Sequence, residues 1–341
     1  MQYRSLGKSN LKVSALCLGT MMFGDRTSRD EACAIVADAH AKGVNYIDTA
    51  DVYTNGASET MVGELLKGSR LDWVLATKLG NQMSDRVNEG HFSRSWMMRE
   101  VEASLARLQT DFVDILYLHR DENGMDLEEP LRALDDMLRA GKIRYWGVSN
   151  FRGWRIAEVV HLAGQLGMSK PVVCQPYYNL LNRMPEVEVL PACQYYGIGV
   201  TPYSPIARGV LTGKYQPGHD PDPSTRAGRA DRRMAETEFR HESLVVAQQL
   251  ARHAEARHIS LAQFATAWVL ANPVISSVIA GPRTLSQWKD YAPALEYAVT
   301  QEDEQLVDSF VRPGHPSTPG YSDPAYPLNG RVIGGPGFSA L

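Results

Sequence analysis

Phe112-Val113-Asp114-Ile115-Leu116-Tyr117-Leu118, followed at once by His119, is an apolar run of strand length that ends on a polar side chain. The same construction occurs twice upstream. Val44-Asn45-Tyr46-Ile47 precedes Asp48, with Tyr53 shortly beyond, and Trp73-Val74-Leu75-Ala76-Thr77 precedes Lys78. In a parallel barrel such strand ends share one face, so residues far apart in the chain point into one pocket.

Working outward, apolar β-branched runs recur near residues 15–18, 44–47, 73–77, 112–118, 143–148, 172–174, 198–201 and 274–279. Helical spacing of apolar residues fills 57–67, 93–107, 128–140, 153–166 and 284–297, with Gly68, Gly141 and Gly167 as exits. Ser28 reads as the cap of a further helix to about Lys42, with Glu31 completing a capping box and Gly43 ending it. Strand and helix in alternation imply parallel pairing, and eight units with strands apolar on both faces favour an α/β fold of the closed (β/α)8 TIM-barrel type. Tyr3 to Val13, interrupted by Gly7-Lys8-Ser9-Asn10, reads as an N-terminal β-hairpin that plugs the barrel bottom. Residues 1–341 then form a single barrel domain with 334–341 as a flexible tail. The Gly-, Pro- and Arg-rich segment 213–234 and the Pro-, Gly- and Tyr-rich segment 312–337 read as lids, long loops of the kind that cover a site.

Composition sets the bounds. A hydrophobic fraction of 44% and a charged fraction of 22% suit a globular chain with a large core rather than a disordered one. A formal net charge of −4 offers nucleic acid no attraction, although Arg226, Arg229, Arg232 and Arg233 form a local basic cluster. No apolar run approaches the roughly 18 residues that span a bilayer, and the start resembles no signal peptide, so a cytoplasmic protein is expected. Cys17, Cys33, Cys174 and Cys193 lack the close pairing of a zinc or redox motif and read as reduced core residues. His253 and His258 stand about 140° apart on a helix, too far round to share a metal, and no metal site is expected. Pro202 replaces the third Gly of a dinucleotide fingerprint begun by Gly197-Ile198-Gly199, and Gly147-Val148-Ser149-Asn150-Phe151 lacks the second Gly of a hydrolase elbow.

Asp48, Tyr53, Lys78 and His119 make a proton-delivery set. A Tyr hydroxyl, with a pKa of about 10, is an unusual general acid at neutral pH. A nearby ammonium favours its phenolate, Asp48 fixes the ammonium, and His119 donates to a carbonyl oxygen. Such a set suits hydride delivery to a carbonyl carbon, with Tyr53 protonating the developing alkoxide. Singly, each residue is as readily a cap, a solvated strand end or a packing residue; their joint placement is what carries the reading.

Gly43 to Ser58, GVNYIDTADVYTNGAS, resembles the signature of the aldo-keto reductase superfamily, bacterial NADPH-dependent type. Similar stretches run through the chain: Gly19-Thr20-Met21, Ala76-Thr77-Lys78, Gly141-Lys142-Ile143-Arg144, Gln175-Pro176-Tyr177-Tyr178-Asn179, Tyr203-Ser204-Pro205, Gly209 to Lys214 and Gly281-Pro282-Arg283-Thr284. The resemblance implies an NADPH-binding barrel with Tyr53 as proton donor, Lys78 and Asp48 tuning it, and His119 orienting the substrate. It implies that Ser149, Asn150 and Gln175 hold the carboxamide and Tyr203 stacks on the nicotinamide. Gly19, Thr20, Met21, Asp48, Ser204, Pro205 and Gly281 fall in the same cofactor segments, with Leu211, Gly213 and Lys214 near the pyrophosphate. Arg283 and Thr284 match the position for the 2′-phosphate, which selects NADPH over NADH. Gln287 then faces the adenosine half, but Tyr291 stands where many relatives carry an adenine-contacting Asn. Arg226 either clamps the pyrophosphate or only solvates its loop.

The expected activity is NADPH-dependent reduction of an aldehyde or ketone to an alcohol. Two alternatives use the same residues: a cofactor-bound regulatory subunit, since Arg144-Tyr145-Trp146-Gly147 also resembles potassium-channel β-subunits of this superfamily, and an alcohol, polyol or sugar dehydrogenase working oxidatively. Met22, Phe23, Tyr53, Trp96, Arg120, Phe151 and parts of 312–329 are expected as pocket walls. Arg120 either receives an anionic group or pairs with Asp121 or Glu122. The segment Tyr321 to Tyr326 covers either the substrate or a neighbouring subunit, and a homo-oligomer stays open.

Overall fold

A computed structural model describes residues 1–122 and 124–326; the expected tail and the end of the 312–329 segment lie outside the described residues. The hairpin is β1 (Tyr3–Ser5) and β2 (Lys12–Ser14). The barrel strands are β3 (Leu16–Gly19), β4 (Tyr46–Asp48), β5 (Val74–Leu79), β6 (Val113–Leu118), β7 (Ile143–Ser149), β8 (Val173–Gln175), β9 (Gly199–Val200) and β10 (Val278–Ala280). Each of β3 to β8 pairs in parallel with the next, and β10 pairs in parallel with β3. Closure runs from β9 to the segment before β10: Val200 bridges Ile275, and Ser276 N–H donates to Val200 O at 2.8 Å. The fold is the expected α/β barrel.

The helices are α1 (Arg29–Ala41), α2 (Ala57–Leu65), α3 (Arg94–Leu108), α4 (Glu128–Arg139), α5 (Gly153–Gln165), α6 (Val189–Tyr196), α7 (Arg232–Thr237), α8 (His241–Ala256), α9 (Leu261–Ala271), α10 (Leu285–Tyr291) and α11 (Gln301–Phe310). Four expectations need correction. The last strand begins at Val278, not 274, because Ile275 and Ser276 are spent on closure. The helix expected over 284–297 ends at Tyr291 and continues as a tighter turn, Ala292–Glu296, with Pro293 near its start. The capping box at Ser28 is half made: Ser28 accepts from Glu31 N–H at 3.3 Å, but the Glu31 carboxylate accepts instead from Leu285 N–H at 2.5 Å, tying α1 to α10. Cys33 is exposed, so only Cys17, Cys174 and Cys193 are core residues.

The strands alternate between two cores, as a period of two requires. Leu16, Leu18, Ile47, Leu75, Leu79, Leu116 and Leu118 pack outward under the helices. Cys17, Tyr46, Val74, Ala76, Ile115, Tyr117 and Val173 fill the barrel interior, together with Leu6 and Val13 from the hairpin. Tyr46 and Tyr117 share a hydroxyl hydrogen bond of 2.7 Å there, and a Cβ on Gly147 would stand 2.8 Å from the Tyr117 ring. The hairpin does plug the bottom: Lys8 N–H donates to Gly197 O, just before β9, at 2.9 Å. Counting on by twos from the inward positions reaches Gly19, Asp48, Lys78, His119, Ser149 and Gln175 at the top of successive strands.

Candidate active site

Lys78 has no exposed side-chain surface, and its ammonium is held by three oxygens. Nζ donates to Asp48 Oδ1 at 2.5 Å, to Thr49 O at 2.7 Å and to Tyr53 OH at 3.1 Å. The second Asp48 oxygen accepts from Gln175 Nε2 at 3.0 Å. Burial alone would pull the ammonium down, but Asp48 overrides it and holds Lys78 above its ordinary value. Burial also pushes Asp48 up, against the pull of Lys78 and Gln175.

Tyr53 sits in a one-turn 3-10 segment, Tyr53–Gly56, that leads into α2. Thr54 and Asn55 adopt left-handed backbone with φ of 49° and 51°, strain of the kind that accumulates where a side chain must be aimed. Ser58 anchors this turn to the tops of β3 and β4 by hydrogen bonds to Thr20 O at 2.8 Å and with Thr49 Oγ1 at 2.9 Å. Burial raises the Tyr53 phenol, and the opposing charge of Lys78 does not cancel it. The net direction is therefore opposite to the lowering expected from Lys78 alone: Tyr53 keeps its proton at neutral pH.

The His119 ring meets the Tyr53 ring edge-on at 6.0 Å. Burial, then the charges of Lys78 and Arg120, hold its pKa well below the usual 6.5, so the imidazole is neutral at pH 7. Its Nδ1 is buried and has no hydrogen-bond partner among the described residues. Around it, Asn150 Nδ2 donates to His119 O and to Ser149 Oγ, both at 3.0 Å, while Tyr203 OH donates to Asn150 Oδ1 at 2.8 Å. Tyr203 stacks on Tyr177 at 5.6 Å. Asn150 and Ser204 also carry left-handed φ, 60° and 58°.

A cavity of about 410 Å³ opens over these groups. Of the expected residues, Gly19, Thr20, Met21, Met22, Asp48, Tyr53, His119, Ser149, Asn150, Gln175, Tyr203, Ser204, Pro205, Lys214, Arg226, Gly281, Arg283 and Gln287 line it. Lys78 stands behind Tyr53. Leu211 and Gly213 belong to the loop but not to the wall, and Thr284 instead caps α10 by accepting from Gln287 N–H at 3.3 Å. Phe23, Trp96 and Phe151, expected as pocket walls, are at most 4% exposed and do not line the cavity. Arg120 stands beside the wall rather than in it.

The loops after β9 and β10 add cations. Arg283 makes no ion pair among the described residues, its main chain being held by Gln287 and Thr27. Lys214 is exposed over the Tyr215 ring at 5.1 Å, and Arg226 pairs with Asp231 at 2.9 Å. Arg26, Arg208, Arg229, Arg233, Tyr291 and Tyr326 also line the cavity. Arg26 and Arg208 had no signal of their own in the sequence. Tyr326 belongs to the aromatic segment expected as a cover, and it lies over the cavity of its own chain. Arg233 holds that segment through a forked pair to Asp323, at 2.9 and 2.8 Å, and Arg240 lies 3.7 Å from the Tyr321 ring.

The sequence profile of the Aldo/keto reductase family matches residues 15–312, which contain every group of the Asp48, Tyr53, Lys78 and His119 set. The chain belongs to that family. Aldo/keto reductase relatives match along nearly their full length. A probable voltage-gated potassium channel subunit beta of Arabidopsis thaliana is 37% identical over 320 residues, 91% of this chain and 97% of its own. The oxidoreductase YrpG of Bacillus subtilis, itself uncharacterized, is 34% identical over 336 residues, 94% and 100% respectively. Versiconal hemiacetal acetate reductase of Aspergillus parasiticus is 31% identical over 345 residues, 92% and 99%. Family membership makes this an oxidoreductase fold built for carbonyl reduction with a nicotinamide nucleotide. Among the described residues no helix is long and apolar enough to cross a membrane.

Proposed function

We propose that the chain reduces an aldehyde or ketone to an alcohol with NADPH, and that Tyr53 delivers the proton. The observation that carries this reading is the chain of contacts from Asp48 through Lys78 Nζ to Tyr53 OH, buried at the floor of the cavity. When bound, NADPH supplies the hydride. The protein's part is to hold the carbonyl oxygen against a protonated phenol and a neutral imidazole N–H. As negative charge grows on that oxygen, Tyr53 gives up its proton, and the Lys78 ammonium at 3.1 Å stabilises the phenolate left behind. Asp48 keeps Lys78 charged and aimed.

Donor chemistry supports the fit of a nicotinamide: Ser149, Asn150 and Gln175 offer hydroxyl and amide groups to a carboxamide, and Tyr203 offers a ring face. Arg283, without an ion pair among the described residues, suits a 2′-phosphate, with Lys214 and Arg226 for the pyrophosphate. NADPH oxidation by purified protein with a panel of aldehydes, beside the same assay with NADH, tests the reading: turnover with NADPH preferred is expected. The relatives named as channel subunits favour a second reading, a cofactor-bound regulatory subunit. Tight NADPH binding without turnover on any aldehyde would select it.

A further inference from the structure

The reductase reading leaves its substrate class open, and the rim of the cavity bears on it. Arg120 follows His119 directly at the top of β6. Of the two neighbouring acids, Asp121 is engaged elsewhere, and Glu122 is shared between His91 and a loose ion pair with Arg120 that makes no hydrogen bond. Asp121 Oδ1 takes Arg155 Nε at 3.0 Å. Glu122 Oε1 takes His91 Nδ1 at 2.8 Å and stands 3.6 Å from Arg120 Nε, outside hydrogen-bond range. Arg120 Nε is buried yet has no hydrogen-bond partner among the described residues, while the side chain as a whole stays 40% exposed. A covered guanidinium N–H without an acceptor is a cost that a bound acceptor removes.

The charge is also felt at the mouth. Arg120 acts on His119, which lines the cavity from below, and on Tyr326, which covers it from the C-terminal segment and also senses Tyr53.

Resting on the reductase reading, we propose that Arg120 receives a carboxylate carried by the carbonyl substrate, so that the substrate class is the oxo- or formyl-carboxylic acids. The planar fork of Arg matches a carboxylate, and the orphan Nε–H supplies one of its donors. A carboxylate suits the rim better than a phosphate dianion does, because Glu122 and Asp121 stand close by and repel each added negative charge.

Matched aromatic aldehydes test this: 4-carboxybenzaldehyde, its methyl ester and 4-formylphenyl phosphate, compared by kcat/KM in the wild-type protein, Arg120→Met and Arg120→Lys. The wild-type protein is expected to favour the carboxylate over the ester by about tenfold or more, the yield of one charge-assisted pair. Arg120→Met should bring that ratio near one, and Arg120→Lys should keep part of it. A wild-type ratio near one, a ratio untouched by Arg120→Met, or a preference for the phosphate overturns the proposal. If no aldehyde turns over, the reductase reading fails by itself. Calorimetric titration of the NADP+-loaded protein with 4-(hydroxymethyl)benzoate and its methyl ester then still decides whether Arg120 binds carboxylate. Tighter binding of the acid, lost in Arg120→Met, supports it, and equal binding of the two overturns it.

Discussion

A primary ammonium with no exposed surface needs a counter-charge, and Lys78 has it in Asp48, 2.5 Å away. Breaking a buried pair by removing one partner strands the other charge. Asp48→Ala should therefore cost about 3–5 kcal/mol in urea unfolding; a loss below about 1 kcal/mol would mean that Lys78 sheds its proton or finds another partner. His119 gives a pH signature with a definite sign. Folded His119 refuses a proton well below the 6.5 at which the unfolded chain accepts one. The unfolded state then binds more protons, so His119 erodes stability as pH falls below about 6.5. His119→Asn should flatten the stability profile through that window. Arg283 has the plainest test: Arg283→Ala should weaken NADPH binding more than NADH binding in a fluorescence titration. Equal losses would take the 2′-phosphate away from it.

The strands show why some of the site was legible and some was not. Asp48, Lys78 and His119 stood out because each is a polar residue closing an apolar run, and the alternation that buries Tyr46, Val74, Ala76, Ile115 and Tyr117 inside the barrel carries them to its top. Phe23, Trp96 and Phe151 were expected at the pocket because they follow strands, but position along the chain does not say which face a side chain takes. Glu31 had the spacing of a capping box, yet its carboxylate serves Leu285, a partner 254 residues away that local spacing cannot show. A box is complete at α11, where Thr300 and Asp303 cap each other and Asp303 also takes His253 Nε2 at 2.6 Å and Tyr297 OH at 2.9 Å. Burial pushes the Asp303 carboxyl up, but those donors prevail and hold it at about 2. Its stabilising contribution is thus complete above the unfolded value near 4, and is lost as pH falls towards 2. Asp303→Asn should cost on the order of 2 kcal/mol at pH 7 and only a small part of that at pH 2, read from thermal unfolding at the two pH values.

Over the whole molecule, the barrel is closed at the bottom by the hairpin and covered at the top by two long segments. Both segments were legible as irregular, being rich in Gly, Pro and Arg or Tyr. Their meeting was not, since the Arg233 to Asp323 fork joins residues 90 apart through no local pattern. At the bottom, Gly7 has φ of +59°, and a Cβ there would lie 2.5 Å from Gly197 O. Gly7→Ala should lift the hairpin from β9 and lower thermal stability by about 1–3 kcal/mol, whereas Gly68→Ala, at a turn with open space around it, should cost less.

Tyr53 is proposed as the proton donor of a carbonyl reduction. The direct test is NADPH oxidation by wild-type protein and Tyr53→Phe with the same aldehyde, alongside NADPH binding by fluorescence. Tyr53→Phe should remove turnover and leave cofactor affinity nearly intact, since only the hydroxyl beside Lys78 is gone. Turnover that survives the substitution would contradict the proposal.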